Sequence, residues 1–425
     1  MGILLNKLKP KSEFSRNVLT LMTGTTIAQA IPIAISPILT RIYTPEDFGF
    51  FALYIGIAII LSVFVSGRYE LAIILPEKDE DAFHLMILSF VLTTIISLCI
   101  LIIILFFSMD IAKFLGNMNI EYWLYFIPLT LFLTGIYQNL IYWSNRKKYY
   151  KRLAFNKVIQ SATGASGNIL LGLNNIGGGL IFSNIFGQGI ATFILGKKVF
   201  KNDNLNRRDI ELTKLLLIAR KYIDFPKYSI PSDLFTVLNA QLVIFFMAKY
   251  FSLASVGFFS FVLRIVAIPS SVISSSIGDV FRQEASVQYI KNRECSIVYL
   301  DTLKKLFFLS LVPFVVFAIY SPVLFGFIFG EKWIIAGEYA QLLTPMFFFQ
   351  FISSPLSAMF YIANKQALYL KLTVVTLLMM IGLLILVDMY QLEIKILLIG
   401  YGVIYSTLYL VNIAITLHLS KKRIR

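Results

Sequence analysis

The chain alternates between long apolar stretches and short polar breaks. Twelve of the stretches are each about long enough to cross a bilayer as a helix, which takes roughly 20 apolar residues. They cover residues 17–39, 48–67, 83–108, 122–143, 153–173, 178–196, 229–248, 256–277, 306–328, 334–362, 367–388 and 394–418. The pattern therefore predicts an all-α polytopic membrane protein with about twelve transmembrane helices, divided six and six.

The longest polar break lies between the two groups, at about residues 197–228. Within it Leu212, Leu215, Leu216 and Ala219 recur at helical spacing, which predicts an amphipathic helix on the cytoplasmic interface. The predicted organisation is an N-terminal six-helix bundle at 1–200, a linker helix at 201–224 and a C-terminal six-helix bundle at 225–425. Kinked spans and an internal repeat predict a central cavity where the bundles meet.

Composition excludes a soluble globular protein. Hydrophobic residues make up 58% of the sequence, charged residues make up 14%, and the mean hydropathy is +0.78. The two cysteines, Cys99 and Cys295, form neither a disulfide framework nor a metal signature. We predict no cofactor and no metal.

The positive charge behind the net charge of +15 lies mostly in alternate loops and the termini rather than in one patch. Even-numbered loops and the termini carry 30 Lys and Arg residues, whereas odd-numbered loops carry only Arg41, Lys113, Lys249, Lys332 and Lys395. The positive-inside rule then places both termini in the cytoplasm, and the first eleven residues are predicted to be a retained cytoplasmic leader. Topology and lipid headgroups account for the basic runs, so we predict no nucleic-acid partner.

The two halves share sequence. A shift of 208 positions aligns residues 40–51 with residues 248–259 and matches Gly49 with Gly257, Thr44 with Ser252 and Phe50 with Phe258. Internal repeats of this kind are a feature of transporters that bind substrate between their repeats. The duplication predicts alternating access around the central cavity.

Several motifs resemble those of one bacterial family. They are S-R-N-V-L-T-L-M-T-G-T-T (15–26), T-P-E-D-F-G-F-F-A-L-Y (44–54), G-R-Y-E-L-A-I-I-L-P (67–76), D-F-P-K-Y-S-I-P-S (224–232) and V-G-F-F-S-F (256–261). Together the chain resembles the Wzx-type flippases for O-antigen and capsule repeat units, in the multidrug/oligosaccharidyl-lipid/polysaccharide exporter superfamily.

The resemblance implies a substrate and partners. It implies a flippase of the bacterial inner or plasma membrane that carries polyprenyl-diphosphate-linked oligosaccharide from the cytoplasmic to the outer leaflet. Membrane lipids, the polysaccharide polymerase and the chain-length machinery are its implied partners. Within the superfamily, a cation-coupled multidrug exporter and a lipid II flippase stay as alternatives. A membrane-embedded polymerase or ligase is the alternative from another class.

The sequence offers no catalytic motif. His84 and His418 each stand alone near the end of a span, and no nucleophile, Walker loop or acidic metal cluster is evident. We therefore predict a transporter without enzymatic activity, and the large outer loop that a polymerase would need is missing.

Candidate functional residues are those whose polarity is costly inside a membrane. Arg264, Arg68 and Lys157 are predicted to face a cavity and to bind an anionic headgroup. Asp233 and Glu70 are candidates for ion coupling, and Asp233 is also a candidate partner for Arg264. For Glu70, a salt bridge at the interface is the competing interpretation.

Neutral polar side chains recur on several spans. Asn156 and Gln160 form one stripe of the fifth span, and such a stripe either packs helices or lines a wet path. Because polarity is spread over so many spans, we predict a shared cavity. Its predicted polar lining comprises Thr25, Gln29, Gln138, Asn156, Gln160, Asn184 and Gln188.

Overall fold

The structure, a computed structural model, describes residues 13–203 and 211–421. Within these ranges it is helical with no strand. The predicted N-terminal leader lies outside the described residues. Close packing of the backbone divides the chain into a first unit, Met1–Lys249, and a second unit, Tyr250–Arg425. The bundle boundary predicted from the repeat is a statement about duplicated sequence and stays a prediction.

The described helices of the first unit follow one another with short connections. They are α1 (Glu13–Ala34), α2 (Ser36–Ile42), α3 (Pro45–Val65), a 3₁₀ turn (Tyr69–Ile74), α4 (Asp79–Phe114), a 3₁₀ turn (Met118–Ile120), α5 (Glu121–Leu124), α6 (Ile127–Arg146), α7 (Tyr150–Leu173), α8 (Gly179–Asn202), α9 (Leu212–Lys221), a π-helical turn (Phe225–Ser229) and α10 (Ile230–Tyr250).

The second unit also consists of helices joined by short connections. It comprises α11 (Leu253–Asn292), α12 (Ser296–Phe329), a 3₁₀ turn (Glu331–Trp333), α13 (Ile334–Leu356), α14 (Met359–Ile362), α15 (Gln366–Met389) and α16 (Ile394–Ser420). Prolines bend the spans of both units because each removes a backbone donor. Pro37 lies at the start of α2 beside the break at Ile35, and α11 bends by 45° around Pro269.

The helices fit the twelve predicted spans. Among the described residues, nine stretches are long and apolar enough to cross a membrane, and bent pairs raise the number to eleven. The remaining predicted span is α7, which is 24 residues long but more polar. Large apolar side chains cover the outside, with Phe106 78% and Phe327 85% exposed. Such a surface requires lipid around it.

The duplication in sequence is repeated in local structure. Thr44 caps the start of α3 and Ser252 caps the start of α11, and each side-chain oxygen accepts a hydrogen bond from the backbone N–H three residues later. Six positions after each cap, a phenylalanine packs edge-on against a tryptophan. The ring centroids are 6.0 Å apart for Phe50 and Trp123, and 5.8 Å apart for Phe258 and Trp333.

The predicted linker region contains one helix among its described residues, α9, which has two apolar sides. Ile218 is buried against the first unit, whereas Leu212 and Leu216 are 73% and 61% exposed. The sequence placed these leucines together with Ala219 on a single face. In the structure Ala219 packs against the protein and the two leucines are exposed, and the position of α9 at the membrane interface stays a prediction.

Candidate functional site

Three charged side chains predicted separately come together in the first unit. The chain leaves α3 through two residues with positive φ, Gly67 at 62° and Arg68 at 59°. Arg68 Nη2 lies 2.9 Å from Asp233 Oδ2, and its Nη1 lies 3.5 Å from Glu70 Oε1. A positive φ is costly for a residue with a side chain. The backbone is therefore strained at the turn that places Arg68 between two carboxylates.

The two carboxylates differ in environment. The Glu70 side chain is fully buried, and neither of its oxygens has a hydrogen-bond partner among the described residues. The Asp233 side chain is 40% exposed. Tyr142 of α6 lies within electrostatic range of all three charges. Arg68 is thus the main charge compensation for a buried carboxylate and also links α10 to the end of α3.

A hydrogen bond joins this cluster to α9. The Tyr69 hydroxyl donates a 3.0 Å hydrogen bond to the Ala219 carbonyl oxygen, and burial raises the pKa of Tyr69. The salt bridge considered for Glu70 is present, and Asp233, proposed as a partner for Arg264, pairs with Arg68. The roles in headgroup binding and ion coupling stay predictions.

The polar stripe on α7 contacts helices on two sides. Lys157 Nζ donates to Thr25 Oγ1 of α1 over 3.2 Å, and the buried Asn156 donates to the Ala191 carbonyl of α8 over 2.9 Å. Gln160 donates to Gln188 of α8. For Asn156 and Gln160 these are the contacts of helix packing, one of the two roles that the sequence left open.

The remaining predicted lining residues are not joined to this set. Gln29 and Gln138 are half-buried and Asn184 is exposed, and among the described residues none of the three shares the hydrogen bonds of the α7 stripe. Their assignment to a cavity stays a prediction.

Arg264 lies within α11 in the second unit and is half-buried. No carboxylate among the described residues of that unit comes within 4.0 Å of its guanidinium. A cavity of about 630 Å³ in the same unit is lined by Lys365, Lys371 and His418 and does not include Arg264.

Two charge clusters that were not predicted from the sequence join even-numbered loops. Asp203, whose side chain is 1% exposed, accepts hydrogen bonds from Trp143 Nε1 at 2.9 Å and from both terminal nitrogens of Arg152 at 3.2 Å. Arg146 binds Asp79 and four backbone carbonyls of residues 73–77. In the sequence these arginines counted only as positive charge, and no local signal identifies their partners.

The fold is similar to that of solved membrane transporters. A solved structure of the lipid II flippase MurJ superposes with a TM-score of 0.72 at 14% identity, covering 94% of this chain and 87% of that one. A multidrug resistance MATE family transporter of the MOP superfamily superposes with a TM-score of 0.65 at 15% identity, covering 95% and 94%. At these identities the likeness concerns the fold alone.

Sequence comparison then identifies the family. The family model described as polysaccharide biosynthesis protein matches residues 38–338, most of the chain, and the protein belongs to that family. The succinoglycan biosynthesis transport protein ExoT of Rhizobium meliloti (strain 1021) is 23% identical over 322 residues. The aligned region covers 73% of this chain and 62% of ExoT.

Proposed function

We propose that this protein is a flippase that moves a polyprenyl-diphosphate-linked oligosaccharide from the cytoplasmic to the outer leaflet of a bacterial cell membrane. One observation carries the proposal. Lys157 and Arg264 lie within predicted membrane spans, and neither has a carboxylate partner among the described residues of its own unit. A cation inside the membrane is costly without a counter-charge. An anionic headgroup supplies that charge during transport.

The chemistry of the two side chains suits a diphosphate. Arginine presents a planar set of donors that binds phosphate oxygens in pairs, and lysine supplies a compact charge. The family match and the ExoT relative support a role in polysaccharide export. Alternating access, predicted from the duplicated sequence, is the mechanism we propose.

The test is transport by purified protein in liposomes that contain a polyprenyl-diphosphate oligosaccharide. External lectin or glycosidase reports the sugar that reaches the outside, and protein-free vesicles give the background. Arg264→Gln and Lys157→Gln each remove one charge-assisted contact, so we expect transport to fall by about 10- to 100-fold. Lys304→Gln, a change at an exposed lysine of α12, is the matched control and should transport normally.

Two results would overturn the proposal. One is wild-type transport by correctly inserted Arg264→Gln and Lys157→Gln. The other is efflux of an organic cation by a preparation that fails to move a chemically matched lipid-linked sugar, which would indicate a multidrug exporter instead.

A further inference from the structure

Three loops predicted to lie outside the membrane converge on one cavity in the first unit. Its volume is about 220 Å³. Tyr43 follows α2 and Asp47 lies in the first turn of α3, Asn119 and Trp123 come from the region after α4, and three glycines at 177–179 lead into α8. Phe50 and Phe51 complete the aromatic part of the lining. Four aromatic side chains and three glycines thus dominate the lining, which also includes two polar side chains, Asp47 and Asn119.

The second unit contains an equivalent tryptophan in a different environment. There Trp333 packs against Phe258 and Phe261 and is fully buried. Its counterpart Trp123 keeps the packing against Phe50 but is only half-buried and lines the cavity. Because the shared Trp–Phe packing persists in both units, the exposed surface of Trp123 is a departure specific to the first unit.

The indole of Trp123 packs against the backbone of Gly178 and against a phenylalanine ring. Gly178 has a φ of 69°, and a Cβ atom added there would come within 1.9 Å of the Trp123 ring. The tryptophan therefore lies directly on the backbone of the glycine turn, and its edge also contacts Phe182, with ring centroids 5.3 Å apart. A rigid aromatic ring with one open side is a common element of ligand sites.

The polar groups favour a neutral ligand. Asp47 Oδ2 already accepts hydrogen bonds from the backbone and side chain of Thr44, and its charge lies at the N-terminus of α3, where the helix dipole compensates it. Oδ1 has no hydrogen-bond donor among the described residues, and Asn119 is exposed with both donor and acceptor atoms. No lysine or arginine is among the described lining residues.

We propose that this cavity is a subsite for a neutral sugar unit, which rests its ring on Trp123 and hydrogen-bonds to Asp47 and Asn119. Aromatic faces take the apolar C–H face of a sugar ring, while the carboxylate and the amide take its hydroxyl groups. The inference rests on the proposed function, because the ligand is a sugar residue of the exported oligosaccharide on the outer side.

Intrinsic fluorescence tests this site without measuring transport. The chain has three tryptophans, and Trp143 and Trp333 are 1% and 0% exposed, so Trp123 is the tryptophan accessible to a ligand. Purified full-length protein is titrated with the methyl glycosides of glucose, galactose and N-acetylglucosamine. We expect a saturable change with at least one glycoside, and Trp123→Phe should abolish it.

A pair of asparagine variants tests the polar contact. Asn119→Ala removes one neutral hydrogen bond and should weaken binding by about fivefold, measured by saturation-transfer NMR. Asn174→Ala, at an exposed residue on the same predicted face outside the cavity, should leave binding unchanged. Equal affinity in the two variants would overturn the proposal.

Two further outcomes decide against the site. A saturable response to tetramethylammonium but to none of the glycosides would make it a cation site, since aromatic rings beside a carboxylate also bind quaternary ammonium groups. No response to any glycoside in folded protein would mean that no sugar binds. Sugar binding without lipid-linked transport would leave the subsite intact and reject the flippase function, so the two proposals fail separately.

Discussion

Replacing Arg68 by methionine should destabilise the first unit far more than removing its closer partner. Among the described residues, Arg68 is the cation within 4.0 Å of Glu70, whose side chain is 0% exposed, so Arg68→Met leaves a buried carboxylate unpaired. Such a loss costs about 3–5 kcal/mol. Asp233→Asn breaks the shorter ion pair, at 2.9 Å, but the Asp233 side chain is 40% exposed. Exposed pairs contribute only about 0.2–1 kcal/mol.

Methionine is chosen because it is unbranched and keeps the backbone cost of the positive φ at this position, which glycine would relieve. Glu70→Gln should cost little, since Arg68 retains Asp233. The double variant Arg68→Met/Glu70→Gln should therefore recover much of the stability lost in Arg68→Met, with a coupling free energy of about 2–3 kcal/mol.

The measurement is equilibrium unfolding of the purified protein in mixed detergent micelles, followed by circular dichroism. Two results would refute the reasoning: equal losses in Arg68→Met and Asp233→Asn, or no recovery in the double variant. Either would mean that Arg68 does not compensate the charge of Glu70.

Three further predictions concern other parts of the chain. Asp203→Ala removes the shared acceptor of a buried tryptophan and an arginine, and should lower the free energy of unfolding by about 3 kcal/mol in the same assay; an unchanged value would contradict the role given to this contact. Gly178→Ala should cost at least about 1–2 kcal/mol because of its positive φ, whereas Gly177→Ala, with open space around its Cβ, should stay within about 0.5 kcal/mol. Burial, aided by a neighbouring glutamate, raises the pKa of Cys295 to about 11. In a Cys99→Ala background its alkylation should be slow at pH 8, where about one thiol in a thousand is ionised, and should accelerate up to about pH 11; a plateau by pH 9 would contradict this.

The charge clusters show how far topology could be predicted. Loops with even numbers were predicted to share a face, and the structure joins them through Arg146 with Asp79 and Arg152 with Asp203. The odd-numbered loops of the first unit meet at the cavity beside Trp123. The grouping of loops therefore agrees with the charge count, while the assignment of the basic face to the cytoplasm stays a prediction.

The sequence predicted which residues belong to the candidate site but not which of them are in contact. Arg68, Glu70 and Asp233 stand out in sequence because each ionisable group lies at or inside an apolar stretch. Their mutual contact depends on the turn at Gly67 and Arg68 and on the packing of α10, which no local pattern specifies. For the same reason the sequence could not choose between packing and cavity lining for Asn156 and Gln160.

The sequence by itself determined the class of protein, the helices and the duplication, because length, hydropathy, capping residues and charge distribution act locally along the chain. Thr44 and Ser252 illustrate this, since each caps a helix within its own few residues. Tertiary structure decided which polar groups are paired, and which of two equivalent tryptophans is only half-buried. Those outcomes depend on side chains brought together from distant positions, and only the packed helices fix their distances.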